Sequence, residues 1–162
     1  MSYQRIMVGL DTSKQSGMAF KKAIETAKEN DAALYLLSVI NGEPYSGSGY
    51  GFVNQDLYTA TVKKLSNLLE KDKKIAEDAG VKEVHTDVKI GNAKVELAER
   101  YPKDNKIDLI VIGATGLNAI GRLIVGSTAA YTIREAPCDV TVVKTNMDNQ
   151  KMDIKESSYP EI

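Results

Sequence analysis

Apolar residues along this chain recur with two periods that take turns. Five short stretches, Arg5–Leu10, Ala32–Val39, Glu83–Lys89, Ile107–Ile112 and Val140–Val143, have the length and β-branched content of strands; between them apolar positions return every three or four residues, as in helices. This alternation predicts an α/β domain built on a parallel sheet. The stretches at 34–39 and 109–112 are continuously apolar, as in central strands covered on both faces, whereas Glu83–Lys89 alternates and is expected at an edge.

The helical segments carry start and stop signals. Ser13 is placed to cap a first helix that aligns Phe20, Ala23, Ile24 and Ala27 and ends at Asn30-Asp31. A second, from about Asp56 to Ala79, puts Tyr58, Val62, Leu65, Leu69, Ala76 and Ala79 on one stripe and is closed by Gly80. A third is expected from about Ala93 to Arg100, before Pro102, and a fourth from Ser127 to Glu135, stopped by Ala136-Pro137. Two stretches break the pattern. Residues 41–54, with four glycines and a proline, read as a mobile loop past the second strand, positioned to act as a lid. The polar residues 146–162 lack apolar periodicity and are expected to form a disordered tail after a domain spanning 1–145.

Size and charge narrow the function. A chain of 162 residues fits one domain by the usual range of about 100–200 residues, and 43% hydrophobic residues suffice for a core. With 21 basic and 22 acidic residues intermixed, the formal charge of −1 offers no basic field for a polyanion, so nucleic acid is not an expected partner. Cys138 is the sole cysteine, which excludes an intramolecular disulfide and a multi-cysteine metal site and suits a reducing compartment, the cytoplasm. No apolar run approaches the ~20 residues that span a bilayer, and no signal segment is evident, so a soluble, unprocessed protein with no membrane partner is expected.

The residues that carry chemistry cluster after the fourth strand. Gly113 and Gly116 stand in a Gly-x-x-Gly pattern, followed after nine residues by Gly126-Ser127 and a helical segment. Glycines let main-chain N–H groups approach an anion, and a helix start adds unpaired donors and the positive end of a dipole, so this arrangement reads as a phosphate cradle. Gly116 to Gly121 has the spacing that opens a Walker A sequence but continues Arg122-Leu123, without its lysine and hydroxyl. Gly9 stands alone after the first strand, without the glycine fingerprint of a dinucleotide fold, and NAD is not expected.

In an open parallel sheet, ligands bind beyond the carboxyl ends of the strands where the strand order reverses. If the first and fourth strands are neighbours there, Asp11 can accept hydrogen bonds from a ribose or base while Gly126, Ser127 and Thr128 bind phosphates and Arg122 approaches the terminal one. A divalent ion such as Mg or Mn would bridge the phosphate oxygens. The alternative is that the glycines only make the turn and Ser127 is a plain N-cap. His85, the sole histidine, lies in the edge-strand pattern and reads as solvated; Cys138 reads as a small buried hydrophobe; Tyr45 and Tyr50 are either base-stacking residues or amphipathic surface. No catalytic residue emerges.

Taken together, Ile6-Met7-Val8-Gly9-Leu10-Asp11-Thr12-Ser13, Leu36-Leu37-Ser38-Val39, Asp108 through Gly113, the glycine cradle through Thr128 and Ala136-Pro137-Cys138 resemble universal stress proteins of the UspA type, over residues 4–144. The resemblance implies a three-layer α/β sandwich of the adenine nucleotide α-hydrolase-like kind, with a five-stranded parallel sheet in order 3-2-1-4-5. It also implies ATP binding, with Gly9, Asp11 and Val39 at the adenosine end, Ile112 and Gly113 flanking the ribose, and Gly116, Gly126, Ser127 and Thr128 on the phosphates. A homodimer is implied through Val140, Thr141, Val142 and Val143, paired across a two-fold axis. Asp139 departs from the proline common in relatives, and an acid near that edge would alter the pairing.

The implied role is a nucleotide-dependent stress-response or regulatory protein. Efficient turnover is not expected, since beyond Asp11 no residue is placed to orient a water. The alternatives are a slow ATPase, an autophosphorylating protein using Ser127, Thr128 or Thr115, and a dimeric scaffold with a vacant site.

Overall fold

The computed structural model describes residues 2–42, 52–115 and 125–152. Strands β1 (Arg5–Gly9), β2 (Ala33–Asn41), β3 (Val84–Gly91), β4 (Leu109–Gly113) and β5 (Asp139–Val143) form one parallel sheet in the order β3-β2-β1-β4-β5. Successive side chains of a strand point to opposite faces, so Ile6 and Val8 join one core layer with Leu34 and Leu36, while Met7 joins the other with Tyr35 and Leu37. Helices α1 (Lys14–Asn30) and α2 (Phe52–Asp78) cover the first layer. The second lies under a composite helix, α3 (Ala93–Val95), a π-helical segment (Glu96–Arg100) and α4 (Tyr101–Asp104), which supplies Leu97 and Tyr101; α5 (Ser127–Glu135) packs against that segment and β5.

The expected three-layer sandwich and strand order are borne out. Central β1 is buried from Ile6 to Gly9 and β4 throughout, whereas β3, buried only at its two ends, forms one edge. Ser13 caps α1, its Oγ accepting from the Ser16 N–H at 3.1 Å, and the helix ends at Asp31 in the left-handed conformation. Gly80 closes α2 at φ +109°: its N–H bonds to the Glu77 carbonyl and that of Val81 to Ala76, the two reverse bonds of a Schellman turn.

Some boundaries differ from expectation. Leu10 lies beyond β1, β2 runs on through Asn41, and β4 begins only at Leu109, just after Asp108, whose carboxylate accepts from the N–H groups of Gln4 and Arg5. Of the segment read as a loop over 41–54, Asn41 belongs to β2 and residues 52–54 to α2, while 43–51 lie outside the described residues. Pro102 does not stop the third helix. The π turn resets the hydrogen-bond register, with Tyr101 N–H donating to the Glu96 carbonyl, and Pro102 falls in the first turn of α4, where a missing N–H costs little. At the start of the expected tail Thr145 pairs with Lys151 in an antiparallel bridge, and Lys22 Nζ holds Thr145 Oγ1 at 2.8 Å and Asn149 Oδ1 at 3.3 Å; residues 153–162 lie outside the described residues.

Among the described residues no helix is long and apolar enough to cross a membrane.

Candidate functional site

The sheet reverses between β1 and β4, and beyond the carboxyl ends of these two strands opens a cleft of about 990 Å³. Gly9, Asp11, Val39, Ile112, Gly113, Gly126, Ser127 and Thr128 all line it. Residues that are scattered over 120 positions of sequence thus meet at the place where open α/β sheets bind ligands. Gly116, Arg122, Tyr45 and Tyr50 lie outside the described residues.

The cleft is built by close approaches. A Cβ at Gly113 would lie 3.0 Å from the backbone carbonyl carbon of Gln15 and 3.1 Å from its Cβ, so glycine lets the first turn of α1 sit close against the exit of β4. A Cβ at Gly126 would come within 3.3 Å of the Ala114 carbonyl oxygen, to which the Gly126 N–H donates at 2.6 Å. Gly126 has φ −67°, open to any residue, so what its missing side chain allows is close backbone packing against residues 114 and 115. Among the described lining residues Thr12 is in the left-handed region, at φ +66°.

α5 opens into the cleft with no side-chain cap among the described residues. Its N-cap is Gly126, not Ser127, so the plain-cap reading of Ser127 does not apply. The first N–H groups of a helix have no partner within it, and here those of Ser127, Thr128 and Ala129 belong to residues that line the cleft. Beside them Thr115, only 5% exposed, keeps its Oγ1 buried with no hydrogen-bond partner among the described residues. A buried hydroxyl without a partner costs about 1–3 kcal/mol, which a ligand acceptor would recover.

The opposite wall is more polar. Asp11 Oδ1 accepts from the Ser13 N–H at 3.0 Å, holding the turn into α1, and Ser38 Oγ donates to the Leu10 carbonyl at 2.8 Å, tying the exits of β1 and β2. Asn92 caps α3, and Asn41 accepts from the Ala93 N–H at 3.1 Å. Among the described lining residues Asp11 and Lys94 are the charged ones. Lys94, Asn92, Ser38 and Gln15 were not singled out as binding residues from sequence, and Thr115 was named only as a phosphate acceptor. Gln15 had one available signal: it heads the row Gln15, Ala19, Ala23, Ala27, a polar residue at the start of an otherwise apolar buried stripe.

The residues set aside as non-catalytic lie elsewhere. His85 sits on edge strand β3, where its ring stacks on Tyr35 at 4.5 Å and its Nε2 meets Glu83 Oε1 at 2.6 Å; it is half-exposed, as a solvated edge residue should be, yet partnered. Cys138 packs half-buried against the second core layer, and burial, with Asp108 and Asp139 nearby, pushes its thiol up to about 11. Asp139, the departure noted at the start of β5, accepts a 3.0 Å hydrogen bond from the Tyr3 hydroxyl, which draws its charge toward the N-terminal segment.

Known proteins share this architecture. The family model described as the universal stress protein family matches residues 2–144. A universal stress protein of Staphylococcus epidermidis is 40% identical over 146 residues, covering 90% of this chain and 86% of its own length. The structure of universal stress protein UspA from Lactobacillus plantarum superposes with a TM-score of 0.81 at 30% identity, over 88% of this chain and 99% of that one. A universal stress protein crystallised in complex with cAMP shares the fold, with a TM-score of 0.65 at 24% identity over 88% of this chain and 98% of its own. Sheet order, helix placement and these matches agree: the chain belongs to the universal stress protein family.

Proposed function

We propose that this protein is an ATP-binding universal stress protein whose cleft between β1 and β4 holds the nucleotide. The carrying observation is the start of α5, uncapped among the described residues, opening into a cleft of about 990 Å³, beside the unpartnered Thr115 hydroxyl. The volume sits at the upper end of the roughly 300–1,000 Å³ usual for small-molecule sites, as a triphosphate with its nucleoside requires. In this reading Gly9, Asp11 and Val39 meet the adenosine end, Ile112 and Gly113 flank the ribose, and Gly126, Ser127 and Thr128 hold the phosphates together with Gly116 and Arg122. Mg or Mn would accompany the phosphates and offset their charge. A related fold that binds cAMP supports an adenine ligand.

The protein acts by binding rather than turnover, in the cytoplasm, as a homodimer joined along β5. Nucleotide occupancy is then the signal passed to a partner. Mass spectrometry of gently purified protein tests the reading: co-purifying ATP that is also bound in calorimetric titration is expected, and absence of both refutes it. Rapid multiple-turnover phosphate release would replace it with the ATPase reading.

A further inference from the structure

We propose that Gln15 is a positioning residue of this cleft, one that sets the phosphate-binding end of α5 relative to the β1–α1 wall; the inference rests on the nucleotide-binding reading. Gln15 lies in the first turn of α1, 3% exposed, and its Oε1 accepts the Thr115 N–H at 2.7 Å across 100 residues of sequence. Its backbone also presses on Gly113, as the blocked Cβ there records.

Residues 114 and 115 are a hub. The Ala114 N–H donates to the Val143 carbonyl, at the end of β5, and the Ala114 carbonyl accepts from Gly126, the N-cap of α5. Gln15 supplies the side chain that joins this hub to α1. The start of α5 is therefore located through a short covalent and hydrogen-bonded path: Gly126 to Ala114, Ala114 to Thr115, Thr115 to Gln15.

Helix-terminal donors hold an anion only while they are aimed at it, and their pull fades within the first turn. Without the Gln15 acceptor the buried Thr115 N–H is orphaned, the 114–115 turn shifts to find a partner, and the α5 amides move with it. On the nucleoside wall Asp11 is held by the Ser13 N–H and Ser16 Oγ, and Val39 by the β2–β3 ladder, and none of these contacts passes through the Gln15–Thr115 bond. Loss of Gln15 should accordingly weaken the grip on phosphates while sparing the nucleoside end.

The test compares the full chain with Gln15→Met, which keeps the length of the side chain and removes the acceptor. Calorimetric titrations use ATP and adenosine as probes. ATP affinity is expected to fall about tenfold and adenosine affinity by under about twofold, the scale of one buried unsatisfied donor felt at the phosphate end alone. Thr115 amide exchange should speed up in parallel. Ile24→Val, a small core loss further along α1, is the control for destabilisation alone and should leave the ratio of the two affinities unchanged. Should Gln15→Met not fold, Gln15→Asn, one methylene shorter, should show the same split at smaller amplitude. Equal losses for both ligands, no loss for either, or an unchanged Thr115 exchange rate would overturn the proposal. If the unaltered chain bound adenosine but not ATP, or neither, the nucleotide reading itself would fall and this inference with it.

Discussion

Gly113→Ala and Gly17→Ala should move stability in opposite directions, although both add one methyl group on or against the same helix. At Gly113 the new Cβ would lie 3.0, 3.1 and 3.2 Å from the carbonyl carbon, Cβ and carbonyl oxygen of Gln15. Carbon pairs rest at roughly 3.5–4.0 Å, so the neighbours must give by a few tenths of an ångström. Because the opposing atoms are mostly backbone, α1 or the end of β4 has to move. Overpacking of this kind costs about 1–3 kcal/mol. At Gly17, inside α1, nothing lies within 4 Å of the added Cβ, and alanine gains about 0.5–1 kcal/mol by restricting the unfolded chain. For a domain of this size a kcal/mol shifts the midpoint by roughly 2–4 °C, so Gly113→Ala should melt about 4–8 °C lower for a 2 kcal/mol loss and Gly17→Ala slightly higher. Thermal unfolding followed by circular dichroism is sufficient. A Gly113→Ala protein as stable as the parent would show that α1 does not bear on the β4 exit, and the description of the cleft wall would be wrong.

Three further outcomes follow from the site and its surroundings. Cys138, with its thiol pushed up to about 11, should react slowly with a disulfide reagent near neutral pH and at an ordinary thiol rate once urea unfolds the chain. Its folded-state value lies above the unfolded one, so any stability linked to this thiol is present below the unfolded pKa and lost as pH rises toward the folded value; alkylation as fast as a free thiol near pH 7 would contradict the burial. Val142→Lys places a charge on the outer strand β5 and should shift the proposed dimer to monomer in sedimentation; an unchanged oligomer would put the contact elsewhere. Asp11→Ala should reduce the preference for ATP over GTP more than it reduces triphosphate binding overall, and a parent protein with no such preference would remove the basis for assigning Asp11 to the nucleoside.

How far the sequence carried the fold depended on whether the controlling interactions were local. Strand periods, the Ser13 cap and the Gly80 stop are written within a few residues of where they act, and each was legible. The α5 boundaries were also read correctly, with Gly126 before the helix and Ala136-Pro137 after it. The helical run past Pro102 was not legible, because no local signal marks the π turn that accommodates it, where Leu97 and the adjoining Tyr101 are buried under the sheet. At the site, the glycine pattern marked the right segment but for a partly different reason: Gly113 and Gly126 make room for Gln15 and Ala114. Gln15 itself escaped notice because its partner, the Thr115 N–H, is a main-chain group 100 residues away, and no spacing rule connects the two. Thr12, left-handed without being a glycine, has the same character: the surrounding turn imposes a conformation that its own identity does not announce.

The central claim is that main-chain amides at the start of α5 grip the phosphates of an adenine nucleotide. Amide resonances of isotopically labelled protein, followed by nuclear magnetic resonance during titration with ATP and then with adenosine, test it directly. The account predicts saturable shifts at Gly126, Ser127, Thr128 and Ala129 with ATP that adenosine does not reproduce. Saturation by ATP with those four resonances unmoved, and shifts confined to the β3 edge or the outer face of α2, would contradict it.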